Sequence, residues 1–296
     1  MADRPRSRLT LAQLQALNAV VETSSFSLAA KALGIAQPSV SNHIQALENR
    51  FKARLIVRDG HSARPSPALS ALLPRIRALL SLANDLEAEL LDQSQGSKGQ
   101  LRIGYSAFQL AIPQISAFMN DYPGISIEAL SAASADLLIM LEAGKIDVAF
   151  ITARALPTGL SGLKLCATKV VLAVPTDHDL ALQPFLDWKT VAGLPLIQRE
   201  KSSGTRQIFE AAATVAGVEP ETILSLGSWE SICAMIASGL GFGVVLDVEL
   251  SPADPFKGIP IPDSNLAAAH YAVCLPDMAK VAAVEAFLSH LPRAES

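Results

Sequence analysis

Apolar positions in the first fifty residues recur with helical spacing. In residues 9–22, Leu14, Leu17 and Val21 lie at i, i+3 and i+7, which predicts one helix. Ser25 is a plausible N-cap for a second helix that ends at Gly34. Its predicted apolar face comprises Phe26, Ala29, Ala30 and Leu33. A third helix is predicted to open with Pro38 at its first position, and its apolar stripe comprises Val40, Ile44, Leu47 and Phe51.

Two short helices joined by a brief turn with glycine form a helix-turn-helix. If the stripe of the third helix faces inward, Asn42 and Gln45 point outward, flanked by Ser39 and His43. Such side chains suit base-edge and phosphate contacts in a major groove, although an ordinary solvated face has the same pattern. Residues 55–57 are β-prone, and residues 58–64 form a turn with two arginines, which predicts a wing beside the duplex.

Ser66 and Pro67 together predict the start of a long helix. Its apolar residues follow the alternating spacing of a coiled-coil seam: Leu69, Leu73, Ile76, Leu80, Ala83 and Leu90. Because no neighbouring segment covers this stripe, we expect it to pair with the same helix of another subunit, the alternative being packing within its own chain. Residues 93–99 are polar and rich in Gly and Ser, which predicts a linker.

Beyond the linker, apolar runs and helical patterns alternate. Strands are predicted at 101–105, 125–130, 147–151, 170–174, 242–246 and 270–275, and helices at 113–122, 136–142, 205–216, 230–238 and 279–291. The β-α-β-α-β order favours parallel sheets in two lobes, with a ligand cleft at the carboxyl ends of the strands.

Charge is distributed unevenly along the chain. The net charge is −4, yet residues 1–65 hold nine basic and four acidic side chains, which suggests a head that approaches a polyanion. The three cysteines and five histidines are scattered, so we expect no disulfide framework, metal site or cofactor. Residues 1–20 lack the apolar stretch of a signal peptide, which favours a soluble, cytoplasmic protein.

The segment from Ser25 to Glu48 closely resembles the helix-turn-helix of LysR-type transcriptional regulators. The matching positions are Ser25, Phe26, Ala29, Ala30, Leu33, Gln37, Pro38, Ser41, Ile44, Leu47 and Glu48. The resemblance extends through the wing, the long helix and the segments 101–104, 142–148 and 237–243. Ala36 replaces the usual Ser or Thr before Gln-Pro, and Asn42-His43 replaces a common Arg-Gln pair. The resemblance therefore does not predict the operator sequence.

The resemblance implies a domain plan. An α+β winged helix-turn-helix (1–65) is followed by a linker and dimerisation helix (66–92) and a hinge (93–99). An α/β two-lobed effector domain, folded like a periplasmic binding protein, occupies 100–296, with lobe I at about 100–165 and 270–296 and lobe II at about 166–269. It also implies a homodimer or homotetramer. The partner would be double-stranded promoter DNA, and the residues expected to bind it are Ser25, Gln37, Pro38, Ser39, Ser41, Asn42, His43, Gln45, Arg58 and Arg64.

In the family, effectors bind between the two lobes. Matching the order of the family's motifs to this sequence assigns the equivalent positions. The expected residues are Ser106, Phe108, Ser131, Ser134, Thr152, Ser202, Ser203, Thr205, Arg206 and Trp229. Hydroxyls and free N–H groups at helix starts, with Arg199, Lys201 and Arg206 nearby, favour a small anion such as a carboxylate or a tetrahedral oxoacid. The alternative is that Ser202, Ser203 and Thr205 merely cap a helix.

Other functional classes fit less well. Residues 239–243 resemble half a dinucleotide fingerprint, but they precede a strand, and no catalytic residues are indicated, so an enzyme is not expected. A cysteine-based redox sensor of the same family stays open, although Cys166, Cys233 and Cys274 resemble buried small hydrophobes. A ligand-binding protein without DNA function stays open as well.

Overall fold

A computed structural model describes residues 9–59, 62–91 and 99–292. The N-terminal head contains three helices, which are α1 (Leu11–Thr23), α2 (Phe26–Leu33) and α3 (Gln37–Phe51). Strands β1 (Ile56–Asp59) and β2 (Ser62–Pro65) pair antiparallel as the expected wing. Ser25 caps α2, and Gly34 ends it in the left-handed conformation with φ of 66°, so the local signals of the helix-turn-helix are confirmed.

Two details of α3 differ from the sequence prediction. Ala36 is the N-cap and Gln37 the first helical residue, so Pro38 occupies the second position instead of the first. Phe51 is not part of the buried stripe, because it is 54% exposed while Val40, Ile44 and Leu47 are buried. It is the last residue of the helix, and the Arg50 guanidinium lies 5.2 Å from its ring centre.

The long helix α4 spans Pro67–Leu91, and the Ser66 hydroxyl accepts a hydrogen bond from the Leu69 amide at 3.2 Å. The alternative of packing within its own chain applies to part of the predicted stripe. Leu69 and Leu73 lie in the hydrophobic core of the head, Ile76 packs against that core, and Leu80 is buried. The leucines that stay exposed occupy the neighbouring face and are Leu72, Leu79, Leu82 and Leu86. The predicted linker falls mostly on residues 92–98, outside the described residues, and Leu90 is among the side chains not described.

The remaining residues form one continuous nine-stranded sheet flanked by helices. Lobe I contains β3 (Gly99–Tyr105), α5 (Phe108–Asp121), β4 (Ile125–Ser131), α6 (Ser134–Glu142), β5 (Val148–Ala153) and α10 (Ala282–His290). Lobe II contains α7 (Trp188–Ala192), β7 (Leu196–Arg199), α8 (Gly204–Val215), β8 (Thr222–Leu226), α9 (Trp229–Ala237), β9 (Phe242–Leu246) and β10 (Phe256–Pro260). Strands β6 (Ser161–Pro175) and β11 (Ala267–Cys274) connect the lobes, and the sheet order is β4-β3-β5-β11-β6-β9-β7-β8, with β10 paired to β6.

The sheet is mixed instead of parallel throughout. Strands β3, β4 and β5 are parallel, as are β7, β8 and β9. Strand β11 runs antiparallel to both β5 and β6, and β6 runs antiparallel to β9. The two long strands therefore link two parallel units, and each unit packs its own hydrophobic clusters against its helices.

Sequence patterns missed or misplaced several elements. Strands β7, β8 and β10 and helix α7 were not predicted, and β10 contains Gly258 and Pro260, residues that weaken a strand signal. Helix α5 begins at Phe108, five residues before the predicted start, and Pro113 lies inside it. The buried Ala111 and Ile115 show that packing of the apolar face outweighs the hydrogen bond lost at Pro113. No helix in the described ranges has both the length and the apolar character needed to span a bilayer.

Candidate functional site

Helix α3 presents a polar face on the surface of the head. Asn42 and Gln45 are exposed, while Ser39 and His43 are half-buried at its margins. The Gln37 amide donates to the Ser41 hydroxyl at 3.0 Å, which orders the first turn of the helix. Ala36 provides no side-chain cap, so the amides of this first turn have no capping side chain from their own N-cap. The exposed polar side chains of this helix have the chemistry that suits contacts in a major groove.

Ser25 caps the start of helix α2. Its hydroxyl accepts from the Leu28 amide at 3.4 Å, at the start of α2. The wing residue Arg64 is exposed on β2, whereas the Arg58 side chain lies outside the described residues. The predicted DNA contacts of these residues stay predictions.

Glu48 fixes the wing relative to α3. Its Oε1 accepts from the Leu55 amide at 2.7 Å and from the Ile56 amide at 3.1 Å, at the point where β1 begins. The Ala63 amide donates to the Ser24 carbonyl at 2.8 Å and ties β2 to the turn before α2. Sequence reasoning noted Glu48 only as a family match and missed this role, since its partners are backbone amides.

A groove between α3 and the wing adds residues that the sequence prediction omitted. Its polar lining includes Gln45, Asn49, Lys52 and Arg54. Lys52 and Arg54 follow α3 directly, so their charges lie beside the polar face of that helix. A basic margin next to a polar helix face fits a phosphate backbone beside a groove.

The second candidate site is the lobe junction, defined here by Ser134, Thr152, Gly204 and His270. The Ser134 hydroxyl accepts from the Thr152 amide at 3.1 Å, and the Thr152 hydroxyl lies 3.2 Å from Nδ1 of His270. Gly204 opens α8 against this pair, because a Cβ there would lie 2.2 Å from the Thr152 carbonyl oxygen. The Ala135 amide donates to the Ser202 carbonyl at 3.1 Å and closes a contact between the lobes.

His270 and Gly204 are the junction residues that the sequence prediction omitted, and His270 is the titratable one. It is 2% exposed, and its Nε2 has no hydrogen-bond partner among the described residues. Burial lowers the pKa of its imidazole to about 4, although the carboxylate of Asp247 opposes the shift. The imidazole is therefore neutral at pH 7. A histidine inside a strand of small apolar residues was the available signal.

Two of the three cations named for this site, Arg199 and Arg206, already have partners, and the third, Lys201, is exposed. The Arg206 guanidinium pairs with Glu210 at 2.7 Å and donates to the Arg199 carbonyl at 3.0 Å and the Ser225 hydroxyl at 2.6 Å. Arg199 pairs with Glu200 at 3.4 Å. The hydroxyls of Ser203 and Thr205 are buried at the start of α8. The polar chemistry at the junction is therefore largely that of uncharged donors.

The other predicted effector residues lie around the ends of strands and helices. The Ser106 hydroxyl donates to the Phe150 carbonyl at 3.2 Å beside the end of β3. Ser131 ends β4 and is exposed, and Phe108 begins α5 and is 39% exposed. Trp229 begins α9, where its ring meets the edge of Phe256 with centroids 6.2 Å apart.

A winged helix-turn-helix joined by a long helix to a two-lobed α/β domain is the architecture of a ligand-responsive DNA-binding regulator. The family profile described as the bacterial regulatory helix-turn-helix protein of the lysR family matches residues 11–68. The profile described as the LysR substrate binding domain matches residues 94–295. The chain belongs to the LysR family of transcriptional regulators.

Similar proteins span most of the chain. The HTH-type transcriptional regulator CbbR of Rhodospirillum rubrum is 29% identical over 248 residues, 81% of this chain and 82% of that protein. The regulator YnfL of Escherichia coli is 28% identical over 243 residues, 80% of this chain and 82% of its own. A full-length OxyR variant from Pseudomonas aeruginosa shares the fold, with a TM-score of 0.75, 17% identity and coverage of 97% of this chain and 95% of that chain.

Proposed function

We propose that the chain binds promoter DNA in the cytoplasm through the polar face of α3 and the wing, within residues 1–65. The observation that carries this proposal is the exposed pair Asn42 and Gln45 on a helix whose opposite face is fully buried. The residues proposed to contact the duplex are the ten predicted above, joined by the groove residues Asn49, Lys52 and Arg54. Ser25 acts through the start of α2, and the wing arginines contact phosphates.

The test measures binding of the full chain to a duplex from the intergenic region beside its own gene, by fluorescence anisotropy. Asn42→Ala is expected to weaken binding about tenfold, the scale of one lost base contact. The matched control is Gln15→Ala, an exposed amide on α1, which should change the affinity by less than about twofold. Equal affinity of Asn42→Ala and the unaltered chain would refute α3 as the reading surface. Binding to no fragment at low salt would favour a ligand-binding protein without DNA function.

At the lobe junction the proposed effector is a small anion, a carboxylate or tetrahedral oxoanion, held by the ten predicted effector residues. The support is the meeting of two helix starts, α6 at Ser134 and α8 at Gly204, with buried hydroxyls of Thr152, Ser203 and Thr205. Helix starts present unpaired amides and the positive end of the dipole. Because Arg206 is paired with Glu210, recognition of the anion rests on uncharged donors unless the anion replaces Glu210 as the partner of Arg206.

Calorimetry tests the effector proposal with the full chain. Panels of small carboxylates and oxoanions are compared with neutral and cationic metabolites of similar size. Thr152→Val removes one hydroxyl at nearly constant shape and should weaken an anion at least about fivefold. Thr214→Val is the matched control, because that hydroxyl bonds within α8 to the Glu210 carbonyl. Binding of a neutral or cationic ligand alone would contradict the proposal.

Self-association is proposed through the exposed leucines of α4. Leu72, Leu79, Leu82 and Leu86 are between 44% and 58% exposed and lie on one helix face. An apolar stripe of this length on a helix is costly in water and is covered when two copies pair. The product is a homodimer, or a homotetramer when dimers associate further.

The redox alternative receives less support than effector binding. All three cysteines are free, and burial raises the pKa of Cys233 and of Cys274 to about 11. Burial also raises the pKa of Cys166. A raised pKa disfavours the reactive thiolate. Thiol titration before and after peroxide should therefore give the same number of free thiols.

A further inference from the structure

Arg77 on α4 contacts the head and lobe I at the same time. Its side chain is 8% exposed, although it lies on a helix at the surface of both domains. Toward the head, Nε donates to Oδ1 of Asn18 at 2.8 Å, and Nη2 lies 3.8 Å from Oε1 of Glu22. Toward lobe I, Nη1 donates to the carbonyl oxygen of Ala143. One guanidinium therefore joins α1, α4 and the end of α6.

The lobe side of this contact is shaped for the guanidinium. Gly144 adopts a positive φ of 60°, and a Cβ there would lie 2.7 Å from Nη1 and 2.9 Å from Cδ of Arg77. Ala143 caps the carboxyl end of α6, where carbonyl groups lack helical partners and the dipole is negative. Burial lowers the pKa of Arg77 while Glu22 opposes this, and the guanidinium stays charged. Each of these partners helps to offset the cost of burying the charge.

The space around Arg77 is otherwise open. A cavity of about 1310 Å³ separates the head, α4 and lobe I, and Arg77 lies in its lining with Glu142 and Arg102. The head and lobe I therefore face each other across a gap that the guanidinium bridges. Helix α4 also meets lobe I through Ala78, which is buried in the lobe I core, and through the exposed Arg75–Asp277 pair, but Arg77 also reaches α1 and the end of α6.

Helix α6 connects this bridge to the lobe junction. Its first residue is Ser134, which bonds the Thr152 amide, and the next amide donates to Ser202 of the opposite lobe. Nine residues of helix span about 13 Å at 1.5 Å per residue. A short helix moves as a rigid body, so a shift at the junction displaces the Ala143 carbonyl by a similar amount.

We propose that Arg77 is the coupling residue that transmits movement of α6 between the lobe junction and the DNA-binding head. The proposal rests on the proposed DNA binding only for the DNA-bound arm of its test. Because coupling between two sites is reciprocal, DNA bound to the head must alter α6 through the same residue, even when the effector is unidentified. The duplex can then serve as the probe.

Hydrogen exchange of the full chain, followed by mass spectrometry, tests the coupling. In the unaltered chain, adding the intergenic duplex should change exchange at residues 139–145 about threefold or more. Arg77→Leu should abolish this change and, without DNA, raise exchange at residues 139–145 about tenfold, since a charged contact is lost. Arg75→Ala is the matched control, because its exposed pair with Asp277 also joins α4 to lobe I but involves no residue of α6; it should preserve the DNA-induced change.

A second variant protects the test against misfolding of Arg77→Leu. Asn18→Ala combined with Glu22→Gln removes the head partners and leaves Arg77 bonded to Ala143. This double variant should keep slow exchange at residues 139–145 but lose the DNA-induced change. Separately, Arg77→Lys should retain part of the DNA-induced change that Arg77→Leu abolishes. The proposal would be overturned if the DNA-induced change in exchange persisted in Arg77→Leu and in the Asn18→Ala, Glu22→Gln double variant. It would also be overturned if the unaltered chain bound DNA without any change in exchange at residues 139–145. If no duplex binds, the exchange difference without DNA still decides whether Arg77 joins the two bodies.

Discussion

Acidification should destabilise the regulatory domain through His270. The pKa of this imidazole is lowered from 6.5 to about 4 by burial. A histidine with a depressed pKa in the folded state contributes stability above its unfolded pKa, and loses it as the pH falls toward the folded value. Between about pH 7 and about pH 4.5 the loss is about 2.5 kcal/mol, since each pKa unit corresponds to about 1.4 kcal/mol.

The perturbation is His270→Gln, which removes the titration and keeps a polar group near the Thr152 hydroxyl. Urea unfolding at a series of pH values should show a gap between the two proteins that changes by about 2.5 kcal/mol over this range. Intrinsic fluorescence is a suitable signal, because both tryptophans, Trp188 and Trp229, belong to lobe II.

Comparison of the two proteins isolates the histidine from other titrating groups. Burial raises the pKa of Glu249, which makes stability fall with rising pH, but this contribution is common to both chains. Asp247 and Cys166, the charged and titratable neighbours of His270, also remain in both. Parallel stability curves across this pH range would refute a neutral, buried imidazole at this position.

Three further sets of substitutions test the wing, the junction and self-association. Glu48→Ala removes an acceptor shared by two amides. It should lower the free energy of unfolding of the head by about 2 kcal/mol and weaken DNA binding, and Glu48→Gln should recover part of both losses. Unchanged thermal melting followed by circular dichroism would contradict this. Gly204→Ala places a Cβ against the Thr152 carbonyl oxygen. It should loosen the contact between the lobes or lower the free energy of unfolding by about 1 to 3 kcal/mol. Normal stability together with normal effector affinity would show that this contact is not tightly packed. Leu79→Asp combined with Leu82→Asp should shift sedimentation toward monomer, whereas an unchanged oligomer would place the interface elsewhere.

Local signals in the sequence predicted most of the head. The Ser25 cap, the left-handed Gly34 and the start of α4 after Ser66 depend on residues within one turn of each other. The buried stripe of α3 was predicted except at Phe51, where the helix ends and the side chain escapes the core. Periodicity indicates which side of a helix is apolar. It does not indicate whether a residue on that side at the end of the helix still contacts the core.

Long-range partners limited the prediction of the regulatory domain. The mixed sheet depends on β11 pairing with β5 and β6, strands that lie far earlier in the chain, and no local pattern fixes that order. Arg206 was predicted to strengthen an anion site, yet its charge is paired with Glu210 four residues away. Charge in a sequence indicates a cation, whereas only the fold shows whether that cation is already neutralised.

The three faces of α4 explain why part of its predicted seam is buried in its own chain and how the helix takes part in the proposed coupling. Leu69 and Leu73 belong to the core of the head, so the first turns of α4 move with the DNA-binding surface. Arg77 contacts lobe I, and the exposed Leu79 and Leu82 face the proposed second subunit. A helix cannot rotate one face without rotating the others, because all three share one backbone. Under the proposed coupling, a displacement of α6 that reaches Arg77 moves α4 and, with it, both the head and the exposed leucine face.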